Sequence, residues 1–220
     1  MHSNRYMLLA ILFSFHIFGA QKIVIYSARK QQLVKPVFDL YKKKTGVEIV
    51  SLSGSEASLI KRLKSEGAKS KADVLITVDA GNLWYAEKQD LFRNIQSQVL
   101  QKNIPSHLRS PQNMWFGLTV RARTIVYSTK RVNLKDLSTY EDLASAKWKG
   151  KLCLRTSKKV YNQSLVAMMI ADIGEGLAEK IVGGWVKNLS RPVFSSDTAL
   201  IKAIDSGECD IGIVNSYYLG

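Results

Sequence analysis

The chain has 220 residues, of which 46% are hydrophobic and 23% charged, and its 32 Lys and Arg outnumber 18 Asp and Glu for a formal net charge of +14. Such a composition belongs to an ordinary globular protein, and the sequence shows no internal repeat or low-complexity segment. The cationic surplus favours anionic partners, but the lysines are dispersed ("YKKK", "KRLK", "KWKGK") and form no aromatic-laced stripe, which argues against nucleic-acid binding.

The first twenty residues, "MHSNRYMLLAILFSFHIFGA", carry an early arginine, no acid and an apolar run from Tyr6 to Phe18. The run is short for a membrane span. With Gly19 and Ala20 at its end it reads as a secretory signal peptide over 1–20. From Lys22 short apolar runs alternate with amphipathic stretches. "KIVIYS" predicts a strand. "QQLVKPVFDLYKKKTG" predicts a helix with Leu33, Val37, Leu40 and Tyr41 on one face and Gly46 as its stop. "VEIVSLSG" is a second strand, and "SEASLIKRLKSEG" a helix entered through Ser55 and closed by Gly67. "ADVLITVD" is a third strand, of the apolar kind buried on both faces.

This order predicts an α/β fold with mostly parallel sheets flanked by helices. In such sheets ligands bind beyond the carboxyl ends of the strands, which puts "SARKQQ", "SGSEAS" and "VDAGNLW" at a site. "NIPSHLRSPQNMW" reads as a connector, and "FGLTVRARTIVYS" as a long extended run that joins two lobes. The alternation then restarts with strand "GKLCLR", helices "YNQSLVAMMIADIG" and "EGLAEKIVGGWVKNL", the segment "RPVFS", helix "SDTALIKAIDSG" and strand "DIGIV". The expected division is a first lobe over 21–118, a crossover over 119–127 and a second lobe over 128–220.

Cys153 and Cys209 each sit in a strand-like run, and they read as a disulfide of an exported protein or as two buried thiols. No enzyme motif is present: "GSEAS" is not a nucleophile elbow, and "GEGLAE" lies between helices and not after a strand. His107, the one histidine outside the leader, falls in the Pro-flanked connector, where a catalytic triad is not expected. Tyrosines do follow strands. Tyr217 and Tyr218 come after "DIGIVNS", and Tyr161 opens a helix after "LCLRTSKKV". A phenol there packs as a half-buried residue, or it ligates a hard, highly charged cation such as Fe(III), which prefers oxygen donors and can ionise a phenol of ordinary pKa about 10.

Taken together, "IVIYSARK", "KSEGAKSKADVLITVD", "WFGLTVRARTIVYS", "STYEDLASAKWKGKLCLRTS", "YNQSLVA" and "NSYYLG" resemble, in order over 22–220, the periplasmic ferric iron-binding proteins. Those are the substrate-binding components of bacterial Fe(III) ABC importers. The resemblance implies a two-lobed periplasmic binding protein type 2 architecture, no enzymatic activity, a periplasmic location and delivery of Fe(III) to a membrane permease. It carries metal ligation to Tyr161, Tyr217 and Tyr218. Lys30 and Gln31 stand where many members have a histidine and a tyrosine. That leaves room for a synergistic anion such as carbonate, for which Arg29 and Arg121 are the expected partners, since guanidinium forks match planar oxyanions. Arg123 stands behind them in that role.

Relatives of this kind continue past the tyrosine pair and return to complete the first lobe. Against that pattern the first lobe reads as incomplete, with an open sheet edge and weak iron binding, while a complete protein is expected to be monomeric. The departure at Lys30 and Gln31 also keeps open the same scaffold with another small solute (an organic cation, a phosphonate or a ferric chelate), and the charge keeps open a basic surface-interaction protein.

Overall fold

The computed structural model describes residues 21–219. The signal-peptide reading over 1–20 lies outside them. Contacts divide the described residues into two compact units, the first ending at Thr77 and the second beginning at Val78.

In the first unit three strands form a parallel sheet in the order β2-β1-β3, with β1 over Lys22–Ser27, β2 over Glu48–Ser53 and β3 over Val74–Ile76. The β1/β2 register runs from Lys22 opposite Glu48 to Ser27 opposite Ser53. Helix α1, Gln31–Thr45, ends at Gly46, whose φ of 72° is the left-handed conformation that glycine adopts at little cost. Helix α2, Glu56–Glu66, starts where the Ser55 side chain accepts from the Ser58 amide. It buries Leu59, Ile60 and Leu63, to which β1 adds Ile25 and Tyr26.

Two expectations change here. The apolar face of α1 is uncovered: Leu33, Val37, Leu40 and Tyr41 are all exposed, and the helix has no buried residue. β3 has three residues and not eight, and Val74 is 43% exposed. As an edge strand in the described sheet it is not buried on both faces, although its composition is that of an interior strand.

The second unit opens with helices α3, Ala80–Glu87, and α4, Gln98–Asn103, neither of which shows a clear period in the sequence. Of "FGLTVRARTIVYS" only Arg123–Tyr127 forms a strand, β4, while Leu118 and Val120 are exposed. β5, Leu152–Cys153, and β6, Ile211–Asn215, complete a sheet ordered β4-β6-β5, in which β6 pairs antiparallel with β4 and parallel with β5.

β6 is wholly buried because helices cover both of its faces. Ile211 and Ile213 join Leu165 and Met169 of helix α5, Val160–Ile173, and Ala178, Ile181 and Trp185 of helix α6, Glu175–Lys187. Val214 and Cys153 join Leu200, Ala203 and Ile204 of helix α7, Asp197–Ser206. This alternation is the period of two expected of a strand between two apolar layers. Gly212 lies where a methyl group would stand 2.6 Å from Leu200 Cδ2, so a larger residue cannot enter without moving α7. Cys153 and Cys209 form a disulfide that ties β5 to the entry of β6.

Candidate metal centre

Because β5 and β6 are parallel, their carboxyl ends lie at the same side of the sheet. β5 leads through residues 154–159 into α5, where Tyr161 is the second helical residue. β6 leads straight into a short 3-10 turn, Ser216–Leu219, which carries Tyr217 and Tyr218. The three phenols thus follow the carboxyl ends of two neighbouring parallel strands, where ligands of α/β sheets bind. The Tyr217 and Tyr218 rings are tilted by 36° with centroids 4.7 Å apart. They are 54% and 37% exposed, open to a ligand and not sealed in the core.

Beneath the phenols lies a buried polar cluster. Antiparallel pairing sets Arg123 at the start of β4 opposite Asn215 at the end of β6. Arg123 Nη1 donates to Asp197 Oδ2 at 3.0 Å and to Asn215 Oδ1 at 3.1 Å, while Nη2 donates to Asn162 Oδ1 at 2.9 Å and to the Ile213 carbonyl at 2.8 Å. The two charged side chains are 7% and 0% exposed. Burial pulls the Arg123 guanidinium below its ordinary pKa, and the Asp197 charge opposes that. Asn215 Nδ2 then donates to the Tyr217 hydroxyl at 3.0 Å. Burial pushes the Tyr218 phenol above its ordinary value, and the Thr198 side chain acts the other way.

Around Tyr161 the cations lie over the ring face. The guanidinium carbon of Arg121 is 4.4 Å from the ring centre and that of Arg155 is 5.5 Å from it. Arg121 Nη2 is held by Asp79 Oδ2 at 2.7 Å. Asp79 Oδ1 accepts from the Gly81 amide at 3.0 Å, which caps α3, and from the Ser164 hydroxyl on α5. The Asp79 backbone has φ 75°, uncommon for a residue with a Cβ and frequent at functional sites.

Tyr161, Tyr217 and Tyr218 share one end of one sheet. Arg121 is in the same unit, placed over Tyr161 and engaged by Asp79. Arg29 is an exposed residue of the other unit, where its amide bonds Ser27 Oγ. Arg123 is not placed to take an anion, because both of its Nη atoms are committed inside the protein. Asp79, Arg155, Asn162, Asp197 and Asn215 were missed. The one signal for them was Arg123, a charge at the start of the otherwise apolar run "TIVY".

Residues 69–219 match the model of a family described as bacterial extracellular solute-binding protein. The chain belongs to that family. Its members bind solutes and are not enzymes. Iron uptake protein A1 of Synechocystis sp. is 44% identical over 200 residues, covering 91% of this chain and 56% of that protein. A Trichodesmium protein (IdiA, FutA), solved in complex with iron and citrate ligands, superposes with a TM-score of 0.86 at 47% identity, covering 90% of this chain and 63% of that one. A ferric binding protein from Campylobacter jejuni superposes at 0.84 with 33% identity, over 90% and 63% of the two chains. The family member described here thus has the α/β periplasmic binding protein architecture and spans 56% of the length of the Synechocystis relative.

Proposed function

We propose that the chain captures ferric iron through the phenolate oxygens of Tyr161, Tyr217 and Tyr218 and delivers it to the permease of an ABC transporter in the periplasm. The observation that carries this reading is the convergence of three tyrosines on the carboxyl ends of β5 and β6, in a family whose similar solved members include one holding iron. Three phenolates match the charge of a trivalent ion, and phenolate oxygen suits a hard cation. Each phenol gives up a proton on ligating, so uptake tightens as pH rises. Among the described residues no group of three or more His, Cys, Asp or Glu is placed to hold a metal.

Arg121 and Arg29 remain the proposed partners of a carbonate-like anion. For Arg121 this requires sharing with Asp79, to which it donates through Nη2. The lobes proposed for the working protein are 21–118 and 128–220, joined through 119–127. Closing of the cleft between such lobes is driven by a ligand that touches both.

Titration with Fe(III) supplied as its citrate complex should develop a visible phenolate-to-iron charge-transfer band, strongly weakened in Tyr217→Phe/Tyr218→Phe. An unchanged band in that double variant would overturn the assignment. The iron-and-citrate complex of the Trichodesmium relative favours one second reading, a ferric chelate as the solute. Retention of radiolabelled citrate with the iron after gel filtration distinguishes the two.

A further inference from the structure

We propose that the buried Arg123–Asp197 pair is a positioning centre that holds the three tyrosines in one arrangement, with Asn215, Asn162 and Arg155 as its arms. The inference rests on the reading of these tyrosines as ligands, and it assigns to other residues the task of presenting them.

Every arm is a contact already described or one bond beyond it. Toward Tyr217, Arg123 fixes Asn215 Oδ1, which turns Asn215 Nδ2 to the phenol oxygen. Toward Tyr218, the Tyr217 ring so placed packs against the Tyr218 ring with centroids 4.7 Å apart. Toward Tyr161, Arg123 holds Asn162, the next residue in α5, and Arg155 reaches both Asp197 Oδ2 at 3.5 Å and the face of the Tyr161 ring. The Asn215 amide also accepts its place from Asp197, to which its backbone N–H donates at 3.4 Å. One pair of charges therefore touches β4, β6, α5 and α7 at the end of the sheet where the phenols stand.

Stability does not account for the pair. Two charges removed from water regain their hydration loss only when their geometry and remaining hydrogen bonds are complete, and an apolar pair of similar size is often as stable or more so. Here Arg123 Nε and Asp197 Oδ1 are buried with no hydrogen-bond partner. What the charged pair supplies and an apolar pair cannot is direction: donors and acceptors that orient Asn162 and Asn215 and, through them, the ligand side chains.

The experiment is the double replacement Arg123→Met/Asp197→Leu in the full chain, read in three ways. Chemical denaturation should show stability equal to or above the parent. Fe(III) affinity, measured by competition with citrate, should fall at least tenfold, and the charge-transfer band should shift. In the metal-free protein, NMR of ring-labelled tyrosine should show Tyr217 and Tyr218 gaining mobility. Should the double variant not fold, Asn215→Leu and Asn162→Leu each cut one arm and should loosen only Tyr217, with the Tyr218 ring packed on it, or only Tyr161. Rings as ordered as in the parent, in the double variant or in both single variants, would overturn the proposal. The ring measurement needs no iron, so it separates failure of this inference from failure of the ferric reading, which the tyrosine-to-phenylalanine variants test.

Discussion

Asp79 grips Arg121 through a 2.7 Å contact while its other carboxylate oxygen caps α3 and takes the Ser164 hydroxyl of α5. One carboxylate thereby fixes the cation that lies over Tyr161 and joins two helices. Asp79→Ala removes the cap, leaves Arg121 without its partner and keeps a Cβ at φ 75°. A stability loss of about 2 kcal/mol is expected from the lost cap and ion pair, measured by denaturant unfolding. Asp79→Asn keeps a capping oxygen and should lose less than half of that. Equal losses would show that the capping oxygen contributes nothing.

In the first unit Glu66 gathers the Tyr26 hydroxyl, the Arg62 guanidinium and the Ser70 hydroxyl. The Ser70 bond, followed by Arg62, lowers the Glu66 pKa from its ordinary 4.5. A carboxylate with a depressed folded pKa binds fewer protons in the folded state. Its stabilising contribution is therefore complete above pH 4.5 and is lost as pH falls through the lower folded value. Thermal unfolding across that acid range should show a weaker pH dependence in Glu66→Gln than in the parent. Parallel curves would remove Glu66 from the account.

The bond between Cys153 and Cys209 spans 56 residues. Constraint of the unfolded chain over that separation amounts to about 4 kcal/mol in the chain-entropy description. Both cysteines are buried, 1% and 2% exposed, so reductant reaches them on unfolding. Denaturant midpoints with and without reductant should differ in the same sense as those of the parent and Cys153→Ser/Cys209→Ser. Coincident midpoints would contradict the bridge.

Leu33, Val37 and Leu40 line an uncovered face of α1, while Leu59 and Leu63 of α2 are buried. Val37→Lys should change stability by less than about 0.5 kcal/mol in denaturant unfolding, as is usual at a surface position. Leu63→Ala should cost about 2–5 kcal/mol. A large stability loss in Val37→Lys would mean that the face is covered in solution.

The parts of the fold legible in the sequence were those governed by local rules. β1, α1, α2 and β6 follow from period and caps, since Gly46, Ser55 and Gly67 act on their own neighbours. α3 was not legible because Ala80, Gly81 and Asn82 give no apolar period, and its start depends on an unusual Asp79 conformation. β3 has the composition of an interior strand, and its edge position is a property of the sheet. At the site, the three tyrosines could be named from the resemblance and from their place after strands. The cluster that holds them could not. Arg123 and Asp197 are 74 residues apart, and Asp197 after Ser196 reads as an ordinary acid in a helix's first turn.

Whether three phenolates hold the iron is tested most directly by resonance Raman spectroscopy of the Fe(III)-loaded chain, excited within its visible band. Tyrosinate ring modes should appear, weaken in each of Tyr161→Phe, Tyr217→Phe and Tyr218→Phe, and vanish in the triple variant. Tyrosinate modes that persist in the triple variant, or a loaded protein that shows none, would contradict it.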